Sequence, residues 1–175
     1  LSMTTTVESS FGNGVMVRGF LLNNQLTDFS FRPTDDDGTP IANRVQPGKR
    51  PRSSMSPTIV LVDGHPLMVT GSPGGSRIIG YTAQSIINVI DFGLLPQEAV
   101  SLPHYVNRNG STDIEEPIPG VTTDYDPEAL KAALEARGQT VNIRALTSGL
   151  SVIVIGEGKL IGGADLRRDG TIGGR

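Results

Sequence analysis

The stretch TIVLVDGHPLMVTGSPGGSRII, residues 58–79, contains two apolar runs, a turn between them, a glycine-rich turn and the start of a further apolar pattern. Asp63-Gly64 separates the two apolar runs, and this dipeptide is typical of a two-residue β-hairpin turn. Beyond the glycines, apolar residues recur at helical spacing as far as Phe92. The stretch therefore predicts an antiparallel hairpin that passes through a glycine turn directly into a helix.

The same alternation of strands, turns and helices continues towards the C-terminus. The clearest helix is Asp126–Arg137, because Asp126 suits the N-cap, Pro127 suits the first turn and Gly138 suits the end. The remaining predicted elements are a helix at Pro96–Ser101, short strands at His104–Val106, Thr112–Glu115 and Val141–Ile143, and a last hairpin formed by Leu150–Ile155 and Lys159–Ala164.

Before the opening stretch, β-branched and apolar runs predict two strands, at Met3–Glu8 and Val15–Leu22. Residues Arg32–Ser53 contain DDDG, several prolines and basic residues, which predicts a long irregular segment, and such segments are often functional. The whole pattern predicts an α+β fold in which helices cover an antiparallel sheet. We expect residues 1–175 to form a single domain.

Composition excludes several classes of partner and chemistry. The chain has 175 residues, a net charge of −3 and a pI of about 5.3, so nothing favours nucleic acid or an anionic membrane as a partner. There are no cysteines, which excludes thiol catalysis and cysteine-ligated metals.

The sequence contains two histidines. His65 follows the Asp-Gly turn, and His104 is favoured as a structural histidine over a ligand contact. Neither has a partner at metal-ligand spacing, so a metal cofactor such as zinc is not expected.

Four stretches combine residue types that suit recognition or catalysis. In GSPGGSR, residues 71–77, successive glycines and a helix start favour an oxyanion cradle, with a purely steric turn as the alternative. In RPRSSMSP, residues 50–57, paired hydroxyls beside basic residues suit a carboxylate, with a serine-rich loop as the alternative. In LLNNQLTD, residues 21–28, amides and a carboxylate suit an ammonium group, with an Asn-rich turn as the alternative. Thr4, Thr6 and Glu8 share one face of a predicted strand, as a site or as a solvated face.

Three of these stretches occur in the order FLLNNQLTDFS, KRPRSSMSPTIV and TGSPGGSRII, followed by LSVIVIGEGKLIGGADLRRDG. In that order they closely resemble the signature stretches of the γ-glutamyltranspeptidase family, and the resemblance covers nearly the whole chain. It implies the C-terminal, small-subunit portion of an N-terminal-nucleophile hydrolase with an αββα sandwich. In that family a self-cleaved precursor exposes a threonine, which attacks a γ-glutamyl amide and passes the acyl group to water or an amino acid.

The resemblance also implies roles for catalytic residues. Thr6 matches the second threonine of the family site, which hydrogen-bonds the nucleophile. Gly74 and Gly75 match the oxyanion hole. The nucleophilic threonine itself is expected upstream of Leu1, on a strand that precedes Thr4–Thr6.

Further residues match substrate-binding positions of the family. Gln25 and Asp28 match residues that bind the substrate α-ammonium, and Ser53 and Ser54 match the pair that binds its α-carboxylate. Glu8 stands where many members have asparagine, so it either adds a second negative charge beside the ammonium or turns away from it.

The implied partners are the large subunit of the same precursor, which would supply an arginine, and γ-glutamyl substrates such as glutathione. The alternatives are a related acylase acting on glutaryl or cephalosporin side chains, and a non-catalytic structural fragment. We expect the isolated chain to be inactive, because it lacks the first strands, the nucleophile and the large subunit, and to self-associate through the open sheet edge. The family resemblance implies a periplasmic or secreted bacterial location.

Overall fold

The computed structural model describes residues 1–8, 13–121 and 125–174. The chain divides into two compact units, which we call the sheet unit (Leu1–Thr4 with Ser56–Arg175) and the loop unit (Thr5–Met55). Within the described residues, no helix is both long and apolar enough to cross a membrane.

The loop unit contains little regular structure. Its two short strands, β1 (Met16–Val17) and β2 (Phe20–Leu21), form a two-residue hairpin. A single turn of 3-10 helix follows at Gln25–Asp28. The long irregular segment predicted at Arg32–Ser53 is confirmed, because it carries isolated bridges but no helix or strand.

The sheet unit contains the remaining elements. They are β3 (Thr58–Val62), β4 (His65–Gly71), α1 (Ile78–Ile90), α2 (Pro96–Ser101), β5 (Tyr105–Asn107), β6 (Thr112–Glu115), α3 (Pro127–Glu135), β7 (Val141–Arg144), β8 (Ser151–Gly156) and β9 (Lys159–Ala164).

The larger sheet is antiparallel and has the strand order β3-β4-β8-β9. The predicted hairpin is confirmed: Asp63 and Gly64 have φ of 51° and 80°, and this pair of positive values matches the right-handed twist of the flanking strands. The predicted last hairpin, β8–β9, is confirmed as well. This sheet carries the glycine turn at the end of β4.

The smaller sheet has the order β5-β6-β7 and is mixed, because β6 pairs with β7 in parallel. A parallel pair needs a crossover, and α3 supplies it between β6 and β7. As predicted, Asp126 caps α3 by accepting the main-chain N–H groups of Glu128 and Ala129. The prediction of a purely antiparallel sheet is therefore wrong for this part of the chain.

One face of the larger sheet packs against α1 and α2 to form the core. The buried core residues come from five elements and the loop between β7 and β8: Met68, Tyr81, Val100, Val106, Leu146, Leu150 and Val152. The opposite face is apolar and open, since Ile59 and Ile153 are 47% and 40% exposed and the half-buried Val69 lies between them in register.

Two strand predictions in the N-terminal part are wrong. Met3–Glu8 forms no strand, because an extended segment needs a ladder partner and the described residues give it a single main-chain bond, from Asn24 N–H to the Thr6 carbonyl. Val15–Leu22 is not one strand but the β1–β2 hairpin. Arg18 and Gly19 turn the chain there, with φ of 51° and 88°.

Candidate active site

The glycine turn 71–75 joins β4 to α1 in the sheet unit. Gly74 has φ of 135° and Gly75 has φ of 59°, and a single 3-10 turn at Gly75–Arg77 then leads into α1. The turn is closed by the Arg77 N–H, which donates to the Gly74 carbonyl at 3.3 Å. The predicted glycine turn followed by a helix is therefore confirmed.

Gly74 is required here for two reasons. A side chain strains the backbone at φ of 135°, and a Cβ at this position would lie 2.6 Å from Cε2 of Tyr81. Tyr81 is fully buried beneath the turn, so its ring has little room to move away. At Gly75, by contrast, a Cβ would meet no atom within 4 Å.

Within the described part of the chain, the main-chain N–H groups of Gly74 and Gly75 have no hydrogen-bond acceptor. They are consecutive donors at the entry to a 13-residue helix, where the helix dipole contributes partial positive charge. Two unused N–H donors at such a point can bind an anion or stabilise a developing oxyanion.

Arg77 anchors the first turn after the glycines. It donates from Nη2 and Nε to Oδ2 of the buried Asp113 on β6, at 2.5 and 3.2 Å. Burial alone would raise the pKa of Asp113, but hydrogen bonds from Arg77 and Asn142 outweigh this effect and lower it. The ion pair therefore ties the entry of α1 to the smaller sheet.

In the loop unit, Thr6 is held by Asn24. The Thr6 hydroxyl donates to Oδ1 of Asn24 at 3.3 Å, and the Asn24 N–H donates to the Thr6 carbonyl at 3.4 Å. The side-chain amide of Asn24 in turn donates to the Thr27 hydroxyl. The structure therefore brings Thr6 to the amide-rich segment that the sequence singled out.

Gln25 and Asp28 are paired directly. Both lie in the 3-10 turn, and Nε2 of Gln25 donates to Oδ2 of Asp28. Both side chains are half-buried, and the second oxygen of the Asp28 carboxylate has no partner among the described residues. A carboxylate and an amide oxygen placed side by side can accept hydrogen bonds from an ammonium group.

Asn43 connects this pair to the serine segment. Its Nδ2 donates to the Asp28 carbonyl at 2.6 Å, and its Oδ1 accepts the Arg52 N–H at 2.9 Å. Its own carbonyl accepts the Ser30 N–H at 2.9 Å. Asn43 therefore fixes the main chain next to Asp28 relative to the main chain that precedes Ser53.

Substituting Asn43 by alanine is expected to lower the free energy of unfolding by about 1–3 kcal/mol, because the part-buried Asp28 carbonyl and the exposed Arg52 N–H lose their partner at once. Urea denaturation measures the change. Asn23→Ala is the matched control, since it removes one exposed bond, from the Gln25 N–H, and should cost less than about 1 kcal/mol. Equal losses in the two variants would contradict a connecting role for Asn43.

Three predicted residues stand apart from these contacts. Ser53 is exposed and its hydroxyl accepts the Met55 N–H at 3.2 Å, whereas Ser54 is half-buried. Glu8 is exposed and has a positive φ of 43°. The predicted residues thus fall into two sets: Gly74 and Gly75 in the sheet unit, and the other six in the loop unit.

Sequence reasoning missed Asn43 and Tyr81, and it singled out Asn24 only as part of the amide-rich stretch, residues 21–28. Asn43 lies in the long irregular segment, whose length was the one signal that pointed to function. Among the described residues, no group of three or more His, Asp or Glu side chains could hold a metal ion.

The chain is similar in sequence and in structure to known proteins. A family model described as Gamma-glutamyltranspeptidase matches residues 1–174. The chain is 41% identical over 178 residues to the glutathione hydrolase proenzyme of Escherichia coli (strain K12), covering 95% of this chain and 29% of that protein. It is 34% identical over 175 residues to the acylase ACY 1 proenzyme of Pseudomonas sp. (strain SE83), covering 98% of this chain and 29% of that protein.

The fold is similar to that of a solved relative. A crystal structure of a mutant gamma-glutamyltranspeptidase from Helicobacter pylori superposes with a TM-score of 0.77 at 33% identity, covering 96% of this chain and 93% of that chain. The chain therefore spans 29% of the length of the two curated proteins, but nearly all of that crystallised chain.

Proposed function

The chain belongs to the gamma-glutamyltranspeptidase family, and we propose that it is the small-subunit portion of a glutathione hydrolase that also transfers γ-glutamyl groups. The observation that carries this proposal is the pair of unused N–H donors at Gly74 and Gly75. Cleavage of an amide passes through a tetrahedral intermediate with a negative oxygen, and such donors stabilise it.

In the proposed reaction, a threonine upstream of Leu1 attacks the γ-carbonyl carbon of the substrate. Its own α-amine takes the hydroxyl proton, the carbonyl oxygen becomes an oxyanion bound by Gly74 and Gly75, and the amine leaves with a proton. The resulting γ-glutamyl ester is then attacked by water or by an amino acid. Thr6, already held by Asn24, is proposed to hydrogen-bond the nucleophile.

Substrate recognition is proposed to use the loop unit. The Asp28 carboxylate and the Gln25 amide oxygen would accept the α-ammonium, which a free γ-glutamyl group carries and a glutaryl group lacks. Ser53 and Ser54 would donate to the α-carboxylate. Glu8 is proposed to add negative charge near the ammonium, supported by its exposed side chain.

The finer αββα architecture and the large-subunit partner are also proposals. The open apolar face with Ile59, Val69 and Ile153 supports them, because a second sheet packed there would complete a β-sandwich core. β3 is an edge strand of the larger sheet, and this supports self-association of the isolated chain. A periplasmic or secreted location is proposed from the family resemblance alone.

Full-length processed enzyme is expected to release p-nitroaniline from γ-glutamyl-p-nitroanilide far faster than from glutaryl-p-nitroanilide, because only the first substrate carries the α-ammonium. Absorbance of released p-nitroaniline measures both rates. The 175-residue chain alone serves as the negative control and should give no turnover, since the proposed nucleophile is not within it. Preferential turnover of the glutaryl substrate would instead support the acylase alternative, and turnover by the chain alone would refute the assigned nucleophile.

A further inference from the structure

Behind the glycine turn, four ionisable side chains are buried together in the sheet unit. We call His104, Glu115, Asp165 and Arg167 the buried charge cluster. Arg167 donates to both carboxylates, at 2.6 and 2.7 Å to Glu115 and at 2.9 Å to Asp165. His104 is 2% exposed, and its Nε2 lies 4.0 Å from Oδ2 of Asp165. No step of the proposed reaction uses these groups.

The hydrogen bonds around His104 define where its protons lie. The Gln84 side chain is oriented by Tyr105, because its Nε2 donates to the Tyr105 carbonyl at 2.5 Å and its Oε1 accepts the Tyr105 N–H at 3.3 Å. The same Oε1 lies 3.3 Å from Nδ1 of His104. An amide oxygen only accepts, so Nδ1 must carry a proton.

The other ring nitrogen, Nε2, faces a hydroxyl group that already donates its proton to another acceptor. Nε2 of His104 lies 2.8 Å from the Ser148 hydroxyl, which donates to Oδ2 of Asp165. Asp165 is a carboxylate, since it also accepts N–H groups of Leu150 and Arg167. Burial would raise the pKa of Asp165, but hydrogen bonds from His104 and Ser148 hold it well below its usual range. Ser148 can therefore only accept from Nε2, which must carry a proton as well.

Charge balance leads to the same protonation state. Arg167 supplies one positive charge to two buried carboxylates, Glu115 and Asp165, which leaves one negative charge unmatched. Buried charges are costly unless they are paired. An imidazolium at His104 neutralises the cluster. The remaining ionisable neighbour is Tyr81, whose ring is tilted by 41° against the imidazole with the ring centroids 4.6 Å apart. It stays neutral, because burial raises its pKa.

The cluster is connected to the glycine turn through residues 147–149. The Gly149 N–H donates to the Ser72 hydroxyl at 3.1 Å, and the segment packs so closely that a Cβ on Gly149 would lie 2.7 Å from Cγ of Pro73. The Thr147 carbonyl lies 3.4 Å from the position of a Cβ on Gly74. Ser148, between them, is the residue that the cluster holds.

We propose that His104 is a positioning residue, held as an imidazolium by Gln84 and Ser148, and that it keeps residues 147–149 against the glycine turn that carries the oxyanion donors. Without this imidazolium, Ser148 loses the Nε2 donor and the cluster keeps an unpaired negative charge. The turn then becomes less ordered and kcat falls. The consequence for kcat rests on the proposed function, whereas the charge of His104 does not.

The charge can be measured without any substrate. Full-length processed enzyme with ¹⁵N-labelled histidine is compared with its His104→Gln and Ser148→Ala variants, so that the difference spectra assign the His104 resonances. At neutral pH both ring nitrogens of His104 should have imidazolium shifts. A neutral tautomer, with one protonated and one unprotonated nitrogen, would overturn the inference.

Kinetics test the positioning role. His104→Gln and Ser148→Ala are each expected to lower kcat for γ-glutamyl-p-nitroanilide about tenfold while KM changes less than about threefold, because the donors act on the transition state. His104→Arg, which is permanently charged, should restore kcat.

His65→Gln is the matched control, since His65 is exposed at the start of β4 and touches none of these groups. It should leave kcat unchanged. Wild-type kcat in both His104→Gln and Ser148→Ala would overturn the positioning role while the proposed function stands. A wild-type enzyme without γ-glutamyl activity would instead refute the proposed function, and the nitrogen shifts would still decide the charge of His104.

Discussion

Gly74→Ala is expected to lower kcat of the processed enzyme on γ-glutamyl-p-nitroanilide by about 10²–10³-fold, the loss typical of one misplaced oxyanion donor. The added methyl would sit 2.6 Å from Cε2 of the buried Tyr81, at a φ of 135° that only glycine adopts readily. The turn must shift to relieve both problems, and the Gly74 and Gly75 N–H groups move with it. Steady-state kinetics and a thermal unfolding curve measure the two consequences together.

Two further variants show whether the fall in kcat comes from displaced N–H donors or from a general loss of folded structure. Gly75→Ala places its methyl in open space and keeps its N–H, so its kcat should fall less than that of Gly74→Ala, although φ of 59° remains unfavourable for alanine. Tyr81→Leu combined with Gly74→Ala removes the clashing ring atom and should recover part of the lost activity. Wild-type kcat in Gly74→Ala would show that the oxyanion is bound elsewhere.

Elements with strong local signals could be predicted from the sequence. Asp63-Gly64 is a dipeptide typical of a two-residue hairpin turn, and the β3–β4 hairpin forms around it. Asp126 and Pro127 mark the start of α3, and α2 spans the predicted Pro96–Ser101. In each case the determinant lies within a few residues of the element itself.

Other features depend on contacts between distant residues. Arg18 occupies a turn position that usually needs Asn or Gly, so the β1–β2 hairpin carries no recognisable signal. The parallel pairing of β6 and β7 spans the whole of α3. In α1 the buried residues include Tyr81, Gln84 and Ser85, whereas Ile79, Ile87 and Ile90 are exposed, because Ser85 bonds Thr70 and Gln84 bonds Tyr105. Hydrophobic periodicity contains none of this information.

The residues of the candidate site also divide into those with a local sequence signal and those whose contacts depend on the fold. Gly74, Gly75, Gln25 and Asp28 could be singled out because their local motifs are distinctive, and the roles given to them remain predictions. The connection through Asn43 could not be predicted, since its partners lie 15 and 9 residues away in an irregular segment. The sequence favours His104 as a structural histidine, and its burial confirms that; its link to Ser148, 44 residues away, requires the fold.

Asp28→Asn is expected to lower kcat/KM for γ-glutamyl-p-nitroanilide by about 10- to 100-fold, the cost of losing a charge-assisted hydrogen bond of about 1.5–3 kcal/mol. The substitution keeps the size of the side chain and an oxygen that can accept the Gln25 amide. The Asn43 contact is unaffected, because Asn43 bonds the Asp28 main-chain carbonyl. The variant therefore changes charge with little change in shape, and the same assay on the glutaryl substrate shows whether the loss needs an ammonium.

Two observations decide what that result means. Asp36→Asn is the matched control, since Asp36 is an exposed acid of the same unit whose side chain pairs with Arg32, and it should leave kcat/KM unchanged. If Asp28 binds the ammonium, its loss selectively harms the γ-glutamyl substrate, because a glutaryl group makes no contact there to lose. An equal loss on both substrates would point to a structural role for Asp28, and no loss on either would exclude it from recognition and favour an acylase.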